Sequence, residues 1–155
     1  MPRQLEFDRK NEYAIDTSAL VRLEERRDAK IWPKFFALIS EHRVKTVTFV
    51  MDELVRTSAT TVTRLKAYRN DFVYRDMGDL VSEASRLINL YPKMSRPRSR
   101  RTFADPWVIA LAQVEGMTVV TCELSNPAIH IPDVCKREGV DCRDLDFFIT
   151  TEKLA

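Results

Sequence analysis

Glycine is nearly missing from this chain: three residues in 155, Gly78, Gly116 and Gly139, no two of them close together. That spacing excludes the glycine-rich loops with which P-loop and dinucleotide-binding folds cradle phosphates. Histidine is scarcer still. His42 and His130 are the only two, and neither stands at zinc-like spacing from a cysteine, which argues against zinc hydrolase chemistry. The three cysteines, Cys122, Cys135 and Cys142, are odd in number and fit no complete disulfide framework, so a reducing cytoplasm is the expected setting. No window approaches the about 20 apolar residues of a membrane-spanning helix, and the charged residues 1–12 predict no cleaved signal, so no membrane role is expected. A formal net charge of +2 is too small to imply a nucleic-acid partner on its own.

What is present suits one globular domain over residues 1–155: apolar residues make up 45% of the chain and charged residues 31%. Residues 12–15 read as a short apolar strand ending at Asp16, with Thr17, Ser18, Ala19 and Leu20 turning into a helix. A second helix is expected over 31–41, where Phe35, Leu38, Ile39 and His42 follow three-and-four spacing and Pro33 suits the first turn. Residues 44–50 are rich in β-branched side chains and predict a second strand, after which Met51, Asp52 and Glu53 open a helix. A mostly helical pattern from 57 to 90 breaks near Met77 and Gly78, and 91–102 reads as a basic loop. Ala104-Asp105-Pro106 marks a helix start with Asp105 as its cap, and Gly116 marks the end. A buried-type strand follows at 117–121, and a last strand is expected near 142–148. Alternating strands and helices predict an α/β fold with a mostly parallel central sheet.

Four acids then fall at one edge. Asp16 follows the first strand, Glu53 the second, and Glu123 the strand after Gly116; in a parallel sheet the carboxyl ends share an edge where ligands bind. Asp105 opens the helix feeding that last strand, and the loop at 91–102 has to return the chain to the edge. Each acid alone has an ordinary explanation: Asp16 and Asp105 as helix caps, Glu53 as a complement to a helix dipole, Glu123 as a loop residue. Together, two carboxylates ~5 Å apart at an effective dielectric of ~20 repel by roughly 3 kcal/mol, and a divalent ion removes that cost. Hard oxygen donors select Mg²⁺ or Mn²⁺, ions that activate water and stabilise charge on a phosphodiester.

The stretch Ala14-Ile15-Asp16-Thr17-Ser18-Ala19-Leu20 resembles the opening motif of the PIN-domain ribonucleases. Asp52-Glu53-Leu54, Ala104-Asp105-Pro106-Trp107-Val108-Ile109-Ala110-Leu111-Ala112 and Val119-Val120-Thr121-Cys122-Glu123 are similar to its later motifs. The ending, Ile131-Pro132-Asp133-Val134-Cys135 and then Gly139-Val140, is similar to that of small single-domain PIN-like proteins. The resemblance spans residues 13–148. It implies a three-layer α/β/α PIN-like fold, and Asp16, Glu53, Asp105 and Glu123 as catalytic, metal-holding acids. It also implies Mg²⁺ or Mn²⁺ as cofactor, RNA as substrate and, for many members, a toxin's role opposed by a cognate antitoxin protein, with a homodimer by analogy. The fourth position departs from the pattern: members more often carry aspartate there with another acid or Asn close behind, whereas here Glu123 is followed by Ser125 and Asn126, which of the three reaches a metal being open. Thr17 or Ser18 is placed to position a ligand or phosphate, or only to cap the helix.

Basic residues crowd the loop before Asp105. Arg98, Arg100 and Arg101, with Lys93 and Arg96 nearby, are either a solvated loop or a grip on RNA phosphates. The run Arg22, Glu24, Glu25, Arg26, Arg27, Asp28 reads as a solvated helix face, and Trp32 and Trp107 as packing residues. The expected function is metal-dependent endoribonuclease; the alternative is a catalytically inactive PIN-like module that binds RNA or protein. An aspartyl-phosphate phosphotransferase is disfavoured, since Ser18 stands where a second Asp is needed.

Overall fold

The computed structural model describes residues 11–94, 104–123 and 130–155. Its centre is β1 (Tyr13–Ile15), all three residues of which are buried. Burial on both faces is what a strand inside a parallel sheet demands. The chain leaves β1 through helices α1 (Thr17–Glu25) and α2 (Ile31–Ser40) and returns as β2 (Val44–Lys45) beside β1. It then runs through α3 (Thr48–Thr57), α4 (Ala59–Leu65), α5 (Arg69–Phe72), α6 (Met77–Leu90) and α7 (Asp105–Glu115). From there it crosses to the other side of β1 as β3 (Thr118–Val120). Helix α8 (Ile131–Glu138), strand β4 (Cys142–Arg143) and helix α9 (Leu145–Thr151) complete the chain.

The sheet has the order β2-β1-β3-β4, every pair parallel. Helices cover it in a three-layer α/β/α arrangement, and the expected fold class is the observed one. The direction of winding reverses between β1 and β3, so their carboxyl ends form the switch point where open α/β sheets bind ligands. Asp16 leaves β1 at that point, its N–H bonded to the Val120 carbonyl at 3.1 Å.

The core explains the aromatic residues. Tyr13 meets Phe148 edge-on at 4.8 Å between ring centroids, and Phe35 meets Phe72 at 5.9 Å and Phe148 at 6.2 Å. Trp32 is buried and Trp107 packs on Phe49, both as packing residues. Helix α2 ends at Ser40 with Pro33 in its first turn, and Gly116 ends α7 in the left-handed conformation at φ 67°, as expected. Among the described residues no helix is long and apolar enough to cross a membrane.

Four local expectations are corrected. The strand expected over 44–50 pairs only at Val44 and Lys45, with Thr46 adding one parallel bridge to Val73; Thr48, Phe49 and Val50 are already helical. Val50, Met51 and Leu54 are buried at helical spacing, and that periodicity overrides the β-branched composition. Glu53 therefore lies in the second turn of α3, and no acid occupies the first. The last strand stops at Arg143, because Asp144 caps α9 by accepting from the Phe147 N–H at 2.8 Å. Leu145, Phe148 and Ile149 then turn one helical face inward. Asp105 is not a cap: Ala104 holds that position, and Asp105 is the first helical residue. The break expected near Met77 and Gly78 falls before Met77, where α6 begins.

Candidate active site

The switch point opens into a cavity of about 650 Å³, and all four expected acids line it: Asp16 from the end of β1, Glu53 from α3, Asp105 from the start of α7 and Glu123 after β3. Three of them are withdrawn from water, with exposures of 2% for Asp16, 8% for Glu53 and 7% for Asp105, while Glu123 is half-buried. Thr17 and Ser18 line the same cavity.

Asp16 is held from several directions. One carboxylate oxygen accepts from the Ala19 N–H at 2.9 Å and lies 2.8 Å from the Ser18 hydroxyl; the other lies 2.9 Å from Ser18 and accepts from the Thr121 hydroxyl at 2.5 Å. The first of these contacts makes Asp16 the cap of α1, so the capping role and a place in the cavity coexist. Both hydroxyls are aimed by backbone donors in turn: Ser18 Oγ accepts from the Cys122 N–H at 2.9 Å, and Thr121 Oγ1 from the Glu123 N–H at 3.1 Å. This lattice ties the start of α1 to the segment leaving β3.

Glu53 reaches across elements. Its carboxylate accepts from the Thr17 hydroxyl and from the Ala104 N–H, each at 3.3 Å. The second bond pins the start of α7 to α3, which places Asp105 at the cavity. Glu123 accepts from the Ile131 N–H at 3.0 Å and so satisfies the first orphan donor of α8.

Burial leaves these acids reluctant to ionise. Burial pushes Asp16 from the usual carboxylate range up to about 7, against the opposing pull of its hydrogen bonds from Thr121, Ala19 and Ser18. Burial likewise raises Glu53 to about 7, with the charges of Asp16 and Glu123 adding to the shift. Asp105 is held well above its ordinary value, by burial first and then by the negative charges of Glu123, Asp16 and Glu53. Cys122, also on the wall, is pushed up to about 11 and stands as a neutral thiol.

The donor set is therefore carboxylate and hydroxyl oxygen, the chemistry of Mg²⁺ and Mn²⁺ and not of zinc. Among the described residues no group of three or more His, Cys, Asp or Glu side chains is already arranged to hold a metal ion. Asp16, Glu53 and Glu123 each accept from the protein's own N–H or O–H donors, while the Asp105 carboxyl meets that of Glu123.

Two residues at the site, Thr121 and Arg56, were not singled out from the sequence, and a third, Arg22, was read only as part of a solvated helix face. Thr121 is buried and carries the shortest of the bonds to Asp16; its signal is a hydroxyl just past the buried end of β3. Arg22 and Arg56 line the cavity, and helical spacing could have found them: Arg22 lies one turn beyond Ser18, and Arg56 one turn beyond Glu53. The expected phosphate-gripping residues Arg98, Arg100 and Arg101, and the supporting Ser125 and Asn126, lie outside the described residues.

No curated protein matches the chain in sequence. Residues 13–155 match the family described as a domain of unknown function (DUF4411), and the chain belongs to that family.

Proposed function

We propose that this protein is a Mg²⁺- or Mn²⁺-dependent endoribonuclease. One observation carries the reading: four carboxylates from four separate segments meet in one cavity at the switch point of a parallel sheet, three of them buried and shifted toward neutrality. A fold keeps such a group at the cost of stability, and binding a divalent cation offsets that cost. Asp16, Glu53, Asp105 and Glu123 would hold the ion, which when bound supplies Lewis-acid stabilisation and a more acidic water.

The chain's own contribution is orientation. Asp16, fixed by Ala19, Ser18 and Thr121, offers a carboxylate that cannot swing away from the cavity. Thr17 and Ser18 line the cavity beside it and would turn their hydroxyls from Glu53 and Asp16 to a phosphate oxygen once a cation takes those carboxylates, and Arg98, Arg100 and Arg101 would hold the flanking phosphates. Water adds to phosphorus and gives up a proton, the bond to the leaving ribose oxygen breaks and that oxygen takes a proton, and two RNA fragments result. The resemblance of the acidic motifs to those of PIN-domain toxins supports a place in a toxin–antitoxin pair, with an antitoxin covering the cavity and a homodimer as the working unit. The free cysteines suit the cytoplasm.

A second reading has its own observation. Asp16 is already satisfied by protein donors and Glu123 is committed to α8, a pattern that suits a binding module without catalysis. Cleavage separates the two. Single-stranded RNA is expected to be cut in Mg²⁺ or Mn²⁺ and spared in EDTA. Asp16→Asn is expected to lower the rate about 100-fold or more, in keeping with the several kcal/mol a Lewis-acid ion contributes. Activity that survives both chelation and the substitution would end the nuclease proposal.

A further inference from the structure

The carboxylate cavity does not stand alone. A second cavity of about 500 Å³, within the size range of small-ligand pockets, is lined by Arg22, Glu25, Arg26, Cys122, Asp144, Leu145 and Asp146. Arg22, Glu25 and Cys122 belong to both, so the two are joined across α1. Arg22 stands at the junction with its side chain 67% exposed, in a loose 3.6 Å contact with Glu25. Arg56, on α3, is exposed at the first cavity. Arg26 lines the second cavity alone and pairs with Asp146.

An anionic strand approaching a pocket of carboxylates is repelled unless cations at the rim meet its phosphates. Arg22 and Arg56 are the cations that line this pocket among the described residues. Beyond Arg22 the wall changes character: Glu25, Asp144 and Asp146 add carboxylate acceptors, Asp146 being paired with Arg26, and Cys122 lies beside them, a lining that suits the hydrogen-bonding edge of a base and repels a phosphate. Only an unpaired strand can lower one base into a cavity while its phosphates stay at the rim.

We propose that single-stranded RNA crosses the carboxylate pocket with Arg22 and Arg56 on its phosphates and seats the neighbouring nucleotide in the cavity between Arg22 and Arg26. This inference rests on the nuclease reading for its substrate class and adds the path of the strand. It makes Arg22 and Arg56 substrate-binding residues and Arg26 a contact that only a longer oligonucleotide reaches.

Binding can be read apart from cleavage in the Asp16→Asn background, by fluorescence anisotropy of labelled single-stranded RNA across a salt series. Arg22→Ala and Arg56→Ala are each expected to weaken octanucleotide binding severalfold and to reduce the log–log salt slope by about 0.7, the value for one lost phosphate contact on a single strand. Arg22→Lys is expected to restore the slope. Arg26→Ala is expected to weaken the octanucleotide and leave a dinucleotide unaffected. All three arginines are exposed, so folding is preserved, as circular dichroism would verify. Unchanged affinity and slope in both Arg22→Ala and Arg56→Ala, or no RNA binding by the parent, would overturn the proposed path. Arginine-dependent binding without metal-dependent cleavage by the wild type would retain the path and reject the nuclease reading.

Discussion

Replacing Asp16 with asparagine is expected to make the metal-free protein more stable at pH 8, even as it removes cleavage. The carboxyl is fully inside the fold, with burial lifting it to about 7, so at pH 8 the native state carries an ionised side chain that water does not solvate. Asparagine keeps the capping acceptor for the Ala19 N–H, and the Ser18 and Thr121 hydroxyls can rotate to accept from its amide. The sign follows from linkage. A carboxyl whose native value lies above its unfolded value favours folding in its neutral form, and that advantage is lost as pH rises through the native value. Each unit of displacement corresponds to about 1.4 kcal/mol, and a domain of this size shifts its Tm by roughly 2–4 °C per kcal/mol. Thermal denaturation in chelator is expected to show the variant melting about 5 °C or more above wild type at pH 8, with a smaller gap at pH 5.5. A variant less stable than wild type at both values would mean that the hydrogen bonds to the charged form outweigh its burial.

The same logic predicts an unusual pH profile for the wild type. Proteins of ordinary composition hold a broad stability plateau between about pH 5 and 8. Here Asp16 and Glu53 both titrate near 7, and Asp105 is raised with them. Each contributes stability below its ordinary carboxylate value, a contribution eroded between there and its raised native value and lost above it. The metal-free Tm is therefore expected to fall across the interval from pH 5.5 to 8, by more than any single carboxyl would cause. Calorimetry in chelator across that interval checks it; a flat Tm would mean that the acids are neutralised by something in the fold itself.

Much of the site was legible in the sequence because its acids sit where chain geometry leaves little choice. Asp16 follows an apolar strand, and Asp105 stands beside a proline in the first turn of a helix closed by Gly116, so both positions are fixed by local signals. Glu53 was placed at the right cavity for a wrong local reason. Val44, Val47 and Val50 suggest a long strand, but only tertiary packing decides that the helix begins at Thr48 and carries Glu53 in its second turn. The same limit applies after β4, where Phe147 and Phe148 look strand-like until Asp144 caps the helix they belong to. Helix α8 went unassigned because its apolar residues, Ile131, Val134 and Cys135, are too few to show a period. Thr121 and the Glu53–Ala104 bond were invisible for a different reason. They join segments remote in sequence, and a hydroxyl or a backbone N–H carries no pattern that announces its distant partner.

The central claim is that these converging acids are a cation site, and a Mn²⁺ titration followed by thermal denaturation at pH 8 tests it most directly. Wild-type protein is expected to gain Tm saturably with Mn²⁺, as ligand linkage requires, and Asp16→Asn to respond weakly or not at all. A wild-type Tm indifferent to Mn²⁺ and Mg²⁺, or an equal rise in both proteins, would contradict the account.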